Sequence, residues 1–520
     1  MRARRSGLST PSILVQGRVV QGPDPKPCTA AAHPNLIFAA QRLERAWRLA
    51  LRNWRAGKPR MTEALTIGAS AGQTKTVQPP PRGALTHIPG DEGWPLVGHT
   101  LSILADPKGF VERRVERYGP VYRTRVFGET NVTLLGPDAN ELILLDPQKN
   151  FSSTFGWAIV LDRLFPRGLM LRDFDEHRLH RRALSVAFKA GPMKSYLEEL
   201  NAGIVARIAK WPRGREMQFY PAIKQLTLDL AATSFLGGQI GPEMQAVNRA
   251  FIDMIAATVA PIRTPLPGTK MRRGVNGRAF MVDYFTRRVP LARAQGGDDL
   301  FSQLCRASYE DGSLLSVPDV VDHMSFLMMA AHDTLTSSIT SLVYQLAVHP
   351  EWQERLRDEV GKLGLPPDEP LDFEKLDGLP LTEMAFKEAM RITPPVPSIP
   401  RRALRDFEFN GFRIPAGTGV NINPLFTHHM PDLWPEPARF DPMRFTDEAT
   451  RKRHRFAFIP FSGGAHMCIG LNFAYMQAKC FARHFLGKVA VSIEAGYRPD
   501  WQMWPIPKPR DGLKVTLAAI

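Results

Sequence analysis

Apolar residues recur every three to four positions along much of the chain, which is the spacing of one face of an α-helix. This spacing predicts helices over 107–118, 176–188, 193–210, 317–348, 350–363 and about 381–393. Pro394 and Pro395 end the last helix, because proline lacks a backbone N–H and disfavours helical geometry in the preceding residue. The pattern therefore predicts a mainly helical protein.

Strand patterns are few and short. They lie near 121–127, 131–136 and 407–420 and around 489–519. The glycines and proline of GFRIPAG at 411–417 predict a hairpin turn. No internal repeat is visible, so we expect a mainly α fold with a small β region.

Residues 1–85 differ from the rest of the chain. The segment LIFAAQRLERAWRLALRNWR at 36–55 is apolar and basic at helical spacing, which is typical of a peripheral contact with a membrane surface or of a targeting segment. The alternative is a disordered extension, or a mis-started one with Met61 as the true start. The Pro- and Gly-rich stretch 76–95 is a linker. We expect an extension over 1–85 and one domain over 86–520.

Charge and composition narrow the class of protein. Of the 520 residues, 44% are hydrophobic and 23% are charged, which suits a large globular core. Residues 1–60 carry +10 of the net charge of +16, which leaves +6 for the rest. No nucleic-acid motif accompanies this mild excess, so a nucleic-acid partner is not expected. No run of 18 apolar residues exists, so no transmembrane helix is predicted.

The cysteines indicate a reducing compartment, and we expect a cytoplasmic protein. There are four, with no paired spacing: Cys28, Cys305, Cys468 and Cys480. Cys468 lies in a glycine-containing loop just before an apolar helical pattern. A thiolate at such a junction is stabilised by backbone N–H groups and the helix N-terminus. The glycines would let the backbone approach a flat ligand closely. Cys480 lies within the helix, and we interpret it as a core residue.

The loop around Cys468 resembles the haem loop of the cytochrome P450 family, Phe-x-x-Gly-x-x-x-Cys-x-Gly. Phe461, Gly464, Cys468 and Gly470 occupy its fixed positions. The resemblance implies the cytochrome P450 fold, haem b as cofactor and Cys468 as the axial ligand of the iron. It places Phe461 against the sulfur and Gly470 beside the cofactor. His466 stands where most members have an arginine near a haem propionate, a variation seen in sterol demethylases.

A second motif supports this resemblance. Glu388 and Arg391, at i and i+3 in KEAMRITPP, look like the family's Glu-x-x-Arg helix, and Arg444 in FDPMRF would be the third member. The resemblance implies a buried ion-pair set that holds the haem-side core and takes no part in chemistry. The alternative is a solvated surface pair of small energetic worth.

The segment SFLMMAAHDTLTSSITSLVYQLA at 325–347 is similar to the family's long central helix. The resemblance implies that Thr334 contacts dioxygen above the haem and that Asp333 helps to deliver protons. Ala331 replaces the commoner glycine, and its methyl group puts the local kink of this helix in doubt. The alternative is a helix with ordinary satisfied core hydroxyls.

Basic residues are expected near the two haem propionates. His177 and Arg181 share one helical face in DEHRLHRRALSVAF and look like a family element that contacts a propionate. Arg401, in SIPRRALRDFEF, resembles another propionate-binding arginine, with Arg402 as the alternative assignment.

The resemblance implies a monooxygenase that inserts one atom of O2 into a lipophilic substrate of terpenoid, steroid, retinoid or fatty-acid type. His466 and the opening PGDEGWPLVGHT favour the sterol-demethylase and retinoid-hydroxylase side of the family. Loops near 152–172, 235–275 and 396–400 are expected to line the pocket. Electrons would come from an external ferredoxin and its reductase with NAD(P)H, because no Gly-rich nucleotide loop suggests a fused reductase. A monomer is expected.

Other functions remain open from the residues alone. A peroxide-using or isomerising haem-thiolate enzyme would keep the same fold, although such enzymes often lack the acid–alcohol pair that Asp333 and Thr334 provide. A haem or lipid carrier without catalysis is a second alternative. A cysteine hydrolase built on Cys468 is a third, and it lacks a convincing base.

Overall fold

The computed structural model describes residues 77–95, 97–237, 242–260 and 262–520. The basic segment at 36–55 and Met61 lie outside these residues, and the division at 85/86 stays a prediction. The α-helices, in chain order, are α1 (Thr100–Ala105), α2 (Pro107–Tyr118), α3 (Pro137–Leu145), α4 (Ser153–Leu161), α5 (Phe174–Ser185), α6 (Ala190–Ile208), α7 (Phe219–Leu236), α8 (Pro242–Thr258), α9 (Lys270–Gln295), α10 (Leu300–Arg306), α11 (Val317–Val348), α12 (Pro350–Gly361), α13 (Pro380–Ile392), α14 (Pro424–Thr427), α15 (Asp447–Lys452) and α16 (Leu471–Leu486).

The strands form a minor part of the described chain. They are β1 (Gly90–Asp91), β2 (Val121–Val126), β3 (Glu129–Leu134), β4 (Phe151–Ser152), β5 (Glu216–Gln218), β6 (Ile399–Ala403), β7 (Phe407–Phe409), β8 (Phe412–Ile414), β9 (Gly419–Ile422), β10 (Val489–Ser492), β11 (Trp501–Gln502), β12 (Lys508–Pro509) and β13 (Lys514–Ala519). The largest sheet has the order β1-β2-β3-β9-β6-β4. Smaller sheets are β10-β13-β5, β11-β12 and β7-β8.

Helix α11 lies at the centre of the helical layer, where it packs against α7, α9 and α13. It begins at a Ser316 cap, whose hydroxyl oxygen accepts the N–H of Asp319 at 3.2 Å, and it stops before Pro350. Most of its residues are buried on every side, as expected for a helix that is apolar all round. The few partly exposed residues in the middle of α11 therefore mark the face of the helix that a ligand could contact.

The predicted helices and the mainly α fold are confirmed, and α2 and α11 have the predicted bounds. The hairpin is formed by β7 and β8, and its turn lies at Asn410 and Gly411, with φ angles of 47° and 79°. Only glycine and a few short polar residues adopt positive φ readily.

The pocket segments that we expected to be loops are largely regular structure. The range 152–172 contains α4, 235–275 contains α8 and the start of α9, and 396–400 runs into β6. Helix α4 forms because the Ser152 hydroxyl caps it, accepting the N–H of Phe155 at 3.0 Å. The loop expectation was wrong, since a run of apolar residues is equally compatible with a helix.

No described helix combines the length and the apolar character that crossing a bilayer requires.

Candidate active site

The Cys468 side chain keeps an exposed surface in the loop before α16. The backbone N–H of Cys468 donates to the carbonyl of Phe461 at 2.9 Å, which closes the loop just before α16. The residue is exposed by surface area, yet burial raises the pKa of the Cys468 thiol, opposed by the Gly470 backbone N–H and the Arg181 charge. The thiol surface is therefore accessible to a ligand although its surroundings are poorly hydrated.

The glycines of this loop do not all act as the sequence suggested. Gly464 has φ +60°, and a Cβ atom there would overlap the carbonyl oxygen of Leu144 in α3. A Cβ at Gly463 would lie 3.3 Å from Leu144 and 3.1 Å from Phe456. These two glycines therefore serve the docking of the loop on α3. At Gly470 the nearest atoms to such a Cβ lie at 3.9 Å or more.

Four basic side chains form what we call the basic cluster: His177, Arg181, Arg401 and His466. The rings of His177 and His466 are 3.9 Å apart between centroids. Arg181 donates to the carbonyl of Met467 at 2.6 Å, and the buried Arg401 donates to the carbonyl of Pro400 at 2.8 Å. Within the described chain, none of the four has a carboxylate oxygen within 4.0 Å.

The positive charge of the basic cluster comes from its arginines. Burial, then the charges of Arg181 and Arg401, lowers the pKa of His177 to about 4. Burial also lowers the pKa of His466 far below its usual value, so both rings are neutral hydrogen-bonding groups near pH 7. Burial lowers the pKa of Arg401 to about 10, which leaves it charged. The set is complementary to an anionic group.

Arg402 points to a different partner. It donates to a carboxylate oxygen of Glu129 at 2.6 Å and to the carbonyl of Gly417 at 3.0 Å. Of the two adjacent arginines, only Arg401 therefore joins the basic cluster.

Asp333 is buried on α11 beside the side chains of Lys224 and His332. Its Oδ1 lies 3.2 Å from Nζ of Lys224 on α7 and 3.1 Å from Nδ1 of His332. Burial raises the pKa of the Asp333 carboxyl, but His332 and Lys224 together outweigh burial and hold that pKa below its usual value. The sequence interpretation missed both partners. A buried acid needs a partner, and His332 is adjacent, but no sequence signal marks Lys224.

Thr334 lies on a partly exposed face of α11. Its hydroxyl donates to the carbonyl of Ala330 at 2.6 Å. Ala330, Ala331 and Thr334 are partly exposed although most of the helix is buried. The helix assignment is continuous through Ala331.

Glu388 and Arg391 form a fully buried pair. The Arg391 guanidinium donates to both Glu388 oxygens, at 2.7 and 2.8 Å. Nε of Arg444 lies 3.4 Å from Glu388 Oε1. Arg391 also donates to the carbonyls of His428 and Pro437. The charges of Glu388 and Arg391 are thus paired with each other in the interior, where neither side chain is exposed to water.

Comparison with known proteins identifies the family. The sequence model of the cytochrome P450 family matches residues 88–516. The cytochrome P450 136 of Mycobacterium tuberculosis is 38% identical over 88% of this chain and 94% of its own length. The cytochrome P450 120 of Synechocystis is 30% identical over 83% of this chain and 97% of its own. A solved structure, retinoic-acid-bound cyanobacterial CYP120A1, is 29% identical with a TM-score of 0.75, over 85% of this chain and all of its own.

These matches and the fold define the class as a haem-thiolate monooxygenase. The chain belongs to the cytochrome P450 family, whose cofactor is haem, iron protoporphyrin IX. The residues present fit that group, because the thiol has a free surface and no described carboxylate oxygen lies within 4.0 Å of the basic cluster.

We expect Arg401→Met to weaken haem retention. Losing a charge-assisted hydrogen bond typically costs about 1.5–3 kcal/mol, so haem transfer to apomyoglobin should be roughly tenfold to a hundredfold faster. Arg402→Met is the matched control, because Arg402 already pairs with Glu129. Equal transfer rates for the two variants would contradict a role for Arg401 at the propionates.

Proposed function

We propose that this protein inserts one atom of O2 into a lipophilic organic substrate, using electrons from an external partner, with Cys468 as the iron ligand. The carrying observation is the free thiol surface of Cys468 within reach of the Arg181 charge. We take the partner to be a ferredoxin with its reductase and NAD(P)H, because the sequence holds no Gly-rich nucleotide loop.

The proposed haem-binding residues are Cys468, the basic cluster, Phe461 and Gly470. Haem ligated by a thiolate supplies the activation of dioxygen. His177 and His466 offer N–H donors to the propionates, and Arg181 and Arg401 offer charge. Phe461 contributes a ring that packs 5.3 Å from Tyr475 beside the loop. Glu388, Arg391 and Arg444 hold the surrounding core.

Proton delivery is the proposed task of Asp333 and Thr334. Each oxygen atom inserted consumes two electrons and two protons, since the second oxygen leaves as water. Thr334 faces the partly exposed side of α11, and its hydroxyl oxygen retains acceptor capacity after donating to Ala330. Asp333 lies next to it and contacts Lys224, whose side chain is one-third exposed. We therefore propose Lys224 and Asp333 as the solvent-side members of the route that supplies protons to this hydroxyl.

For the substrate we propose an isoprenoid lipid with a carboxylate, of the retinoid type. Two points support it: the cyanobacterial relative has retinoic acid bound, and the pocket-side segments carry several exposed apolar side chains. These are Ile159, Ile252, Val259, Ile262 and Leu266.

The test is a titration of the holoprotein with all-trans retinoic acid. We expect a shift of the Soret band at micromolar ligand and, with ferredoxin, reductase and NADPH, a product heavier by one oxygen atom. Retinol and palmitic acid are the controls for the carboxylate and the isoprenoid chain. A shift with palmitic acid alone would contradict the retinoid assignment. Equal product with peroxide alone would favour the peroxide-using alternative.

A further inference from the structure

A surface cleft of about 260 Å³ lies between α1 and α2 and shares no residue with the candidate active site. Three arginines line it, and no acidic side chain does. Pockets for drug-sized ligands measure about 300–1,000 Å³, so this cleft suits a smaller polar group. We call it the arginine cleft, and its lining residues are His99, Ser102, Phe110, Arg113, Arg114 and Arg117.

Arg114 forms the fixed part of the arginine cleft. It donates to Asp91 Oδ1 at 3.2 Å and also contacts the second oxygen of that carboxylate. Its guanidinium lies 5.0 Å from the centroid of the Phe110 ring and 5.4 Å from that of the Tyr118 ring. Tyr118 donates to Asp91 as well, at 2.8 Å. Arg114 is thus held in one position, and Asp91 already matches its charge.

Arg113 and Arg117 supply the charge that a ligand can use. They are four residues apart on α2 and therefore share one face of the helix. Arg113 pairs with Asp106 at 3.2 Å, but both side chains are more than half exposed, and such a pair is weak. Within the described chain, no carboxylate oxygen lies within 4.0 Å of a side-chain nitrogen of Arg117. The arginine cleft therefore offers more positive than negative charge, and the Ser102 hydroxyl adds a neutral donor.

Exposed apolar side chains border the arginine cleft. Trp94 and Leu101 are the two most exposed large hydrophobic side chains of the described chain, at 74% and 64%. Phe127 lies next to α1, because its backbone N–H donates to the Thr100 hydroxyl at 2.9 Å. Its φ angle of 52° is unusual for a bulky residue. We call these side chains the apolar rim, which consists of Trp94, Leu101, Leu104 and Phe127.

The arginine cleft and the apolar rim together indicate the class of ligand. A guanidinium binds phosphate oxygens in a fork geometry. Exposed tryptophan and leucine side chains are typical of contact with lipid at a membrane surface. A free phosphate ion would explain the arginines, but it would leave the exposed apolar side chains beside them without a partner.

We propose that the arginine cleft binds the head group of an anionic phospholipid, while the apolar rim enters the same membrane surface. The site is separate from the iron chemistry. It is also separate from the basic segment at 36–55, which lies outside the described residues.

The cleft is tested directly by ¹⁹F NMR of the full-length holoprotein labelled with 5-fluorotryptophan. The chain has 9 tryptophans, and the Trp94 signal is assigned by its loss in Trp94→Phe. The probe is monomeric dihexanoylphosphatidylglycerol, which carries the head group without forming a bilayer. We expect a saturable shift of the Trp94 signal. Dihexanoylphosphatidylcholine has the same chains and no net charge, and it should give no saturable shift.

Sodium phosphate and glycerol 3-phosphate separate a lipid from a free anion. We expect each to bind roughly tenfold more weakly than the short-chain lipid or worse, because neither has chains that could contact the apolar rim. Equally tight binding of sodium phosphate would overturn the lipid assignment in favour of a small-anion site. If none of the phosphate compounds shifts the Trp94 signal, the site itself is wrong.

The arginines are tested by a pair of matched double variants on vesicles of equimolar phosphatidylglycerol and phosphatidylcholine. Arg113→Gln with Arg117→Gln removes the two charges that a ligand can use. Arg439→Gln with Arg451→Gln removes two exposed arginines elsewhere, and Arg439 also pairs with an acid, Glu436, at 3.2 Å. We expect partition into the vesicles to fall roughly tenfold or more in the first double variant and little in the second.

Both double variants keep the basic N-terminal extension, so its attraction to the vesicles is the same in each. All four arginines are exposed, and the haem content should be unchanged. Equal partition of the two double variants would overturn the role of the arginine cleft at the membrane.

Discussion

Cys468→Ala should lose the red-shifted Soret band that the carbon monoxide complex of a haem thiolate shows, and turnover should fall to background. The reason is electronic, because a thiolate ligand donates electron density to the iron and so favours cleavage of the O–O bond. Haem can still bind weakly through the basic cluster, so the variant is expected to retain some colour. Spectra of the reduced, carbon monoxide-treated protein provide the measurement.

Cys480→Ala is the control for this prediction. Cys480 is fully buried in α16, and its thiol donates to Asn201 Oδ1 at 3.4 Å. Its replacement removes a small core group at a cost of about 1 kcal/mol and should leave the band in place. A thiolate band that persists in Cys468→Ala would assign the iron to another residue.

Arg391→Met should destabilise the protein severely. It leaves the Glu388 carboxylate buried with only the Asp441 backbone N–H and the more distant Arg444 as partners. It also removes donors from the carbonyls of His428 and Pro437. Breaking a buried pair by removing one partner costs about 3–5 kcal/mol, a large part of a total stability of about 5–15 kcal/mol. The urea midpoint and the yield of haem-containing protein measure the effect.

Two further variants test whether the loss of stability comes from leaving a buried charge without its partner. The double variant Glu388→Met, Arg391→Met should recover part of the loss, because neither charge is then stranded. Lys452→Met breaks an exposed pair with Glu448 in α15 and should change the midpoint little. If Arg391→Met and Lys452→Met have equal midpoints, the buried pair is not a stabilising element.

The fold was predictable because its signals are local. Helix α11 is marked at both ends, by Ser316 and Pro350, and its apolar residues are continuous along the chain. The loop around Cys468 was equally visible, since its fixed residues are close in sequence. Predicted and observed helix ends differ where no capping residue or proline marks the end in the sequence. Helix α6, for example, begins at Ala190 rather than at 193.

The features of the site that the sequence did not predict depend on contacts between residues far apart in the chain. Lys224 contacts Asp333 from another helix, 109 residues earlier in the chain. Nothing in the sequence indicates that these two residues are close in space. The choice between Arg401 and Arg402 depended on where Glu129 lies in the neighbouring strand β3. The role of Gly464 followed from the Leu144 carbonyl, which only packing reveals.

The proximity of Gly464 to Leu144 makes α3 part of the support of the sulfur-bearing loop. That loop is held by α3 on one side and by the bond from Arg181 to the Met467 carbonyl on the other. A substitution in α3 that moves the Leu144 carbonyl would therefore also move the backbone that carries the sulfur, although the two segments are far apart in the sequence.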